Sequence, residues 1–379
     1  MKKKILFAIE SLAGGGAEKI LATIVKHIDD SKFEVTVLAV VKTGIYVREI
    51  ERYCKLISIL PDYKTLKNPI DQIKYKVEYK RIYNGKTSDV YKKYIKEKYD
   101  VEIAFIEGYV TKLIGSSINN YSKKYAWLHI DMIRNPHADR NYLNKEEQMN
   151  TYGKYNKIFA VSDSVKQSFQ KKFGEDYPIE VHYNPVGSVD IIKKSNEKMD
   201  IIMDDKKWNF VTLGRLTKQK GYERLLRIAK RLKSEKFDFG IYILGDGELR
   251  EEYQTYIIEN NLEDVVVLLG FLENPYPYLK KADVFVCSSR TEGFSTAATE
   301  ALILQKPIIT TDCAGMKELF GQYECGIITE NSEMALEEGL RQIINNPSLL
   351  EIFKENEKIR ANEFSIENAM IRFERILDE

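Results

Sequence analysis

The chain has 379 residues, 44% of them apolar, with 58 Lys and Arg against 57 Asp and Glu. That length and composition describe a globular chain of about two domains, and they exclude a disordered or low-complexity protein. No apolar run is long enough to span a bilayer as a helix, and the four cysteines (Cys54, Cys287, Cys313 and Cys325) show no paired spacing, which fits a reducing cytosol.

The charge is unevenly placed. Residues 1–185 carry 32 Lys and Arg against 23 Asp and Glu, and the remainder carries 26 against 34. A basic first half favours an anionic surface: a membrane, a lipid phosphate or a nucleic acid.

The chain opens with Lys2-Lys3-Lys4 and a short apolar run that Glu10 ends. This imitates a secretion signal but is too short, so it reads as a first strand over 3–9. Ser11 to Lys19 then brings the cluster Gly14-Gly15-Gly16 and a helix to about Asp29. Strand, glycines and helix let backbone approach a charged ligand closely. The cluster is neither a Walker A loop nor a G-x-G-x-x-G fingerprint. Strands follow at 33–41, 56–60, 101–107, 125–130, 157–162 and 180–183, alternating with helices, which predicts a mainly parallel, doubly wound sheet.

Between Tyr63 and Asp100 lysines such as Lys74, Lys76 and Lys80 interleave with Tyr75, Tyr79 and Tyr83 on predicted helices. Rings at headgroup depth with ammonium groups on phosphates suit a membrane interface. A solvated helical face is the plainer reading, and nothing else resembles a nucleic-acid module. Trp127 to Asp131 ends a strand, where ligands gather in open α/β sheets, so His129 and Asp131 can reach a substrate; taken alone, a histidine at a strand end is more often a satisfied structural residue. His27, His137 and His182 receive no role. No Asp-x-Asp pair exists, which disfavours a metal-dependent sugar-nucleotide site of that kind. The polar stretch 187–206 reads as a linker between domains.

The second domain restarts with a strand at Trp208 to Gly214, a basic loop holding Arg215 and Lys220, and a helix over 222–234. A planar guanidinium fork and a compact ammonium both suit a diphosphate. The βα rhythm continues through strands at 239–244, 265–269 (ending at Gly270-Phe271), 284–286, 306–312 and 326–329. Two helical segments close the chain, with a break near Phe364 and a new start at Ser365.

The stretch from Ala282 to Leu302 carries the most chemistry. A buried strand breaks at Ser288-Ser289-Arg290, turns at Gly293 and enters a helix capped by Ser295. Glu292 precedes the turn and Glu300 lies inside the helix. Amides at a helix start favour an anion, and the two acids can face the hydroxyl-rich parts of the same ligand. Taken alone, the stretch is equally a βα unit with surface glutamates. Arg215 and Lys220, though, belong on the same rim of the sheet.

Taken together, these residues resemble the family 4 retaining glycosyltransferases of the GT-B fold, among them bacterial surface-polysaccharide enzymes, over nearly the whole chain. Glu292-Gly-Phe-Ser-Thr-Ala-Ala-Thr-Glu300 is similar to the family's E-x7-E signature, with Ser295-Thr296 where Gly-Leu is usual. Thr212-Leu-Gly-Arg215 with Lys220-Gly221 resembles its pyrophosphate motif, Gly14-Gly15-Gly16 its N-terminal glycine loop, and Asn184-Pro-Val186 its interdomain motif.

The resemblance implies an α/β protein of two Rossmann-like, doubly wound parallel-sheet domains facing a cleft. The acceptor-side domain is 1–186, joined by a C-terminal helix at about 365–379, and the nucleotide-sugar domain is 207–364. It implies a nucleotide-sugar donor, UDP-sugar foremost, and no metal. Arg215 and Lys220 take the leaving diphosphate, Glu300 the ribose and Glu292 the sugar ring. Phe294, Ser295 and Thr296 bring amides to sugar or phosphate, and Phe271 joins the donor site. Gly15 and Gly16 close on the phosphate, and His129 touches the sugar or sets the acceptor. With the basic first half, this points to an enzyme extending a glycan, expected to be lipid-linked, in the cytoplasm at the inner face of the cell membrane, with no nucleic-acid partner. A same-fold enzyme with a soluble or protein acceptor and a non-catalytic adapter are the alternatives.

Overall fold

The computed structural model describes residues 2–201, 203 and 206–379. The chain divides into two compact units. One runs to Pro185 and takes in Ala369–Glu379, and the other is Val186–Asn368.

The first unit is a seven-stranded parallel sheet: β1 Lys3–Ile9, β2 Phe33–Val41, β3 Lys55–Leu60, β4 Val101–Ala104, β5 Lys123–Leu128, β6 Lys157–Ala160 and β7 Ile179–Val181, in the order β3-β2-β1-β4-β5-β6-β7. The central β1 is buried continuously from Ile5 to Ile9, as a strand covered by helices on both faces must be. Phe7, Phe105, Trp127 and Phe159 form an aromatic core. Phe373 of the last helix, Ile366–Asp378, packs 6.2 Å from Phe7 and 5.3 Å from Trp127 between ring centroids. Lys3 Nζ donates to the Leu377 carbonyl at 2.5 Å. The chain's final turns therefore belong to the core of its first unit.

The second unit is a six-stranded parallel sheet: β8 Trp208–Leu213, β9 Phe239–Leu244, β10 Val266–Gly270, β11 Val284–Cys287, β12 Ile308–Thr311 and β13 Gly326–Thr329, ordered β10-β9-β8-β11-β12-β13. Helix Tyr222–Ser234 buries Leu225, Leu226, Ala229 and Leu232 against Phe210 and Ile243 of this sheet. On the outer side of that helix, Arg231 bridges Glu333 at 2.8 Å and Glu337 at 2.6 Å on helix Glu333–Asn345.

Two expectations change. The stretch 187–206 is not a plain linker, because Ser188–Lys194 is a helix that buries Ile191. Asn274 Nδ2 holds the end of that helix at the Lys194 carbonyl (3.0 Å) and at Glu197 (2.8 Å). Residues 202, 204 and 205 of the stretch lie outside the described residues. Strands β4 to β7 also end earlier than expected, at Ala104, Leu128, Ala160 and Val181. Past Ala104 and Leu128 the ladder stops, and a side chain takes over: the Glu107 carboxylate accepts the amides of His129 and Ile130. No helix among the described residues is long and apolar enough to cross a membrane.

Candidate functional site

In the second sheet the chain winds outward from β8 through β9 and β10, then crosses back to β11 and winds the other way to β13. The switch point therefore lies between β8 and β11. These two strands pair only at Phe210 with Val284 and Val211 with Phe285, so their carboxyl ends part. Ligand crevices of doubly wound sheets open at such a place. The loop after β8 carries Arg215 to Gly221, and the loop after β11 carries Ser288 to Ser295.

The two loops are laced together. Gln219 Nε2 donates to the Thr291 carbonyl (2.9 Å), the Arg290 amide to the Gln219 carbonyl (2.7 Å), and the Ser288 hydroxyl to the Lys220 carbonyl (2.8 Å). Gly221 turns the chain with φ +64°, and a Cβ there would lie 2.5 Å from the Ser288 carbonyl oxygen. Only glycine fits both demands. From behind, Arg224 donates to Asn331 Oδ1 (2.7 Å), whose amide donates to the Arg290 carbonyl (2.8 Å).

This lacing sets Lys220 Nζ 2.6 Å from Glu292 Oε1, which also accepts the Ser289 hydroxyl at 2.5 Å. Glu292 is only 8% exposed. Burial opposes the Lys220 ammonium, but the adjacent Glu292 carboxylate and its other neighbours prevail and hold its pKa above the usual lysine value. The site thus keeps a fixed, partly buried positive charge near neutral pH.

Ser295 caps helix Thr296–Ile303, accepting the Ala298 amide at 3.3 Å, a contact worth about 1 kcal/mol. Its hydroxyl is committed to the cap, so Ser295 and Thr296 offer backbone before side chains. Phe294 is buried, with its ring 6.3 Å from Phe364, and Glu300 lies inside the helix at 1% exposure. Arg215 lies on the loop after β8. It is exposed, and its guanidinium makes no hydrogen bond or ion pair among the described residues, while Lys220 alone of the two cations meets a glutamate. Phe271 follows β10, two strands from the switch, and is 53% exposed.

The first sheet has its own switch point, between β1 and β4. Gly14 (φ +106°) and Gly15 lead from β1 into helix Gly16–His27. A Cβ on Gly15 would lie 2.3 Å from a Glu18 carboxylate oxygen. His129 follows β5, with its ring 5.1 Å from Phe105 and 6.1 Å from Trp127. Burial lowers its pKa to about 3, so the imidazole is neutral at physiological pH.

Sequence reasoning missed Ser289, Gln219, Asn331 and Glu107. Ser289 and Gln219 lie in the loops after the two strands, a place legible from the βα rhythm, whereas their partners are not. Glu107 was hidden at the end of an apolar run read as strand.

Two doubly wound parallel sheets in one chain are the GT-B architecture, and comparison with known proteins agrees. The family model described as glycosyl transferases group 1 matches residues 193–360. An N-acetylgalactosamine-N,N'-diacetylbacillosaminyl-diphospho-undecaprenol 4-alpha-N-acetylgalactosaminyltransferase of Campylobacter jejuni is 31% identical over 369 residues, covering 96% of each chain. A lipopolysaccharide 1,6-galactosyltransferase of Escherichia coli is 26% identical over 243 residues, 63% of this chain and 62% of that one. The crystal structure of Anabaena HepE in complex with UDP and glucose superposes with a TM-score of 0.73 at 17% identity, covering 100% of both chains.

The chain belongs to the group 1 glycosyltransferases. It is an enzyme of sugar transfer, related to proteins of bacterial polysaccharide synthesis.

Proposed function

We propose that this glycosyltransferase moves a hexose from a UDP-sugar to a lipid-linked glycan at the inner face of the cell membrane, with retention of anomeric configuration and without a metal ion. One observation carries the reading: the Lys220–Glu292 contact at the switch point of the second sheet. A fixed ammonium there can take the charge that develops on a departing diphosphate, and a preorganised charge needs no reorganisation during the reaction. The Arg215 guanidinium, with no partner to leave among the described residues, swings to the same phosphates as a bidentate fork. Glu292 contacts the sugar ring and Glu300 the ribose hydroxyls. The amides of Phe294 to Thr296 meet sugar or phosphate, and Phe271 offers its exposed ring to the nucleotide. Gly15 and Gly16 allow backbone to approach the phosphate, and His129 touches the sugar or orients the acceptor.

In the reaction the bond from the anomeric carbon to the phosphate oxygen breaks, and the acceptor hydroxyl attacks from the same face. Its proton passes to the departing phosphate. Support for the donor and acceptor classes comes from similar proteins. The Anabaena structure holds UDP and glucose. The Campylobacter relative is named for a diphospho-undecaprenol-linked acceptor and an α-linked sugar. An α-linked product from an α-linked nucleotide donor is retention. The test is to incubate the enzyme with a panel of UDP-hexoses and a polyprenyl-diphosphate glycan, then read the new linkage by NMR. An α-linked product formed at an unchanged rate in EDTA is expected. A β-linked product, or activity abolished by EDTA, overturns the mechanism.

Membrane contact rests on helix Pro69–Asn84. Ile70, Ile73, Val77 and Tyr79 are exposed on it, beside Lys74, Lys76, Lys80 and Arg81. Apolar anchors flanked by cations fit an anionic bilayer. Changing those four cations to glutamate is expected to weaken flotation with phosphatidylglycerol vesicles by roughly a hundredfold or more, at about 1 kcal/mol per charge. Undiminished flotation would favour the soluble-acceptor reading.

A further inference from the structure

We propose that Glu107 is a positioning residue that mounts His129. Its carboxylate clamps the backbone at 129–130, so that the imidazole presents Nε2 as a hydrogen-bond acceptor for a hydroxyl. The inference deepens the functional reading above and rests on its assignment of His129 to the sugar or acceptor.

The geometry lies within the first unit. Glu107 Oε1 accepts two successive amides, that of His129 and that of Ile130, the latter at 2.9 Å. These amides lie just past the end of β5, where no neighbouring strand remains to bond them. A buried amide without a partner is costly, so the side chain of Glu107 replaces the missing ladder. Gly108 follows at once with φ +88° and begins helix Tyr109–Ile114. The clamp is therefore fixed to a strand end on one side and a helix start on the other.

The ring above the clamp is equally constrained. Phe105 and Trp127 flank it, and a hydrogen bond with the Phe105 backbone partly offsets the effect of burial on its pKa. Nε2 is buried and has no hydrogen-bond partner among the described residues. The bond to Phe105 therefore belongs to Nδ1, which carries the proton, and Nε2 keeps a bare lone pair. Such an atom accepts from a hydroxyl, the group that sugars supply in quantity. The ionisable neighbours of Glu107 are Tyr142 and Tyr152, and burial keeps both phenols protonated. Burial raises Glu107 itself to about 7, against the opposing pull of the amides it holds. Neither of its protonation states removes the oxygen that the clamp uses.

The experiment compares wild type with Glu107→Ala, Glu107→Gln and His129→Ala, using donor kinetics and 15N-histidine NMR, with His129→Ala assigning the signal. Glu107→Gln keeps an oxygen for both amides, so it should retain kcat within about threefold. Glu107→Ala should lose roughly tenfold or more in kcat with donor KM little changed, since small misplacements of a reacting group carry losses of that size. Its His129 signal should shift from one fixed tautomer towards an averaged imidazole. A single unchanged tautomer in Glu107→Ala overturns the mount. Equal impairment of the Gln and Ala variants overturns it too. Full activity in His129→Ala sinks instead the assignment of His129 to the reaction, and the NMR comparison still decides on Glu107.

Discussion

Lys220→Ala is expected to lower kcat/KM for donor turnover by about a hundredfold to a thousandfold, the usual loss when one preorganised charge facing the leaving group is removed. The same change strips Glu292 of its counter-ion. That glutamate is buried and, among the described residues, keeps only the Ser289 hydroxyl, 2.5 Å away, so the melting temperature should fall as well. Arg215→Ala should separate the two effects. The Arg215 guanidinium has no partner among the described residues to abandon, so turnover should fall at an unchanged melting temperature. The double variant Lys220→Ala, Glu292→Gln should lose less than the sum of the single variants, because the two side chains act as one unit. Additive losses would separate Lys220 from Glu292. Near-normal turnover in Lys220→Ala would remove the basis of the proposed chemistry.

Glu357→Gln is expected to stabilise the protein under alkaline conditions. Glu357 lies in helix Leu349–Ala361 at 0% exposure, and neither carboxylate oxygen has a hydrogen-bond partner among the described residues. Burial raises its pKa to about 8, opposed by Lys306 and Lys354. The folded protein therefore holds a proton that the unfolded chain, titrating near 4.5, has already released. Stability from this group is complete below about pH 4.5 and is lost as the pH rises through about 8, at about 1.4 kcal/mol per pH unit within the window. An amide removes that slope. Replacing the charge should gain up to about 5 kcal/mol at pH 8.5, roughly 10 °C or more in melting temperature, and little at pH 4.5. Thermal melts of both proteins across that range read the difference. Parallel pH profiles would show that Glu357 ionises freely in the fold.

The βα rhythm was legible because buried parallel strands are unbroken apolar runs and helices repeat every three to four residues. Ser295 announced its helix as a cap, and Ser365 announced the last one. Legibility failed where the third dimension decides. Lys220 and Glu292 are 72 residues apart, and nothing local says which of Arg215 and Lys220 turns inward. That choice belongs to Gly221 and the lacing of its loop to Ser288 and Thr291. Strand ends blurred for a similar reason: the run through Phe105 and Ile106 is apolar, but a ladder lasts only while its neighbour keeps pace. The helix Ser188–Lys194 escaped notice because it buries a single isoleucine and so leaves no periodic trace.

Calorimetric titration of UDP into the wild-type protein and into Lys220→Met tests the central claim most directly. The account predicts saturable binding by the wild type and an affinity lower by about tenfold or more in the variant, since a charge-assisted contact is worth about 1.5–3 kcal/mol. Equal affinity in both proteins, or no binding by the wild type, would contradict it.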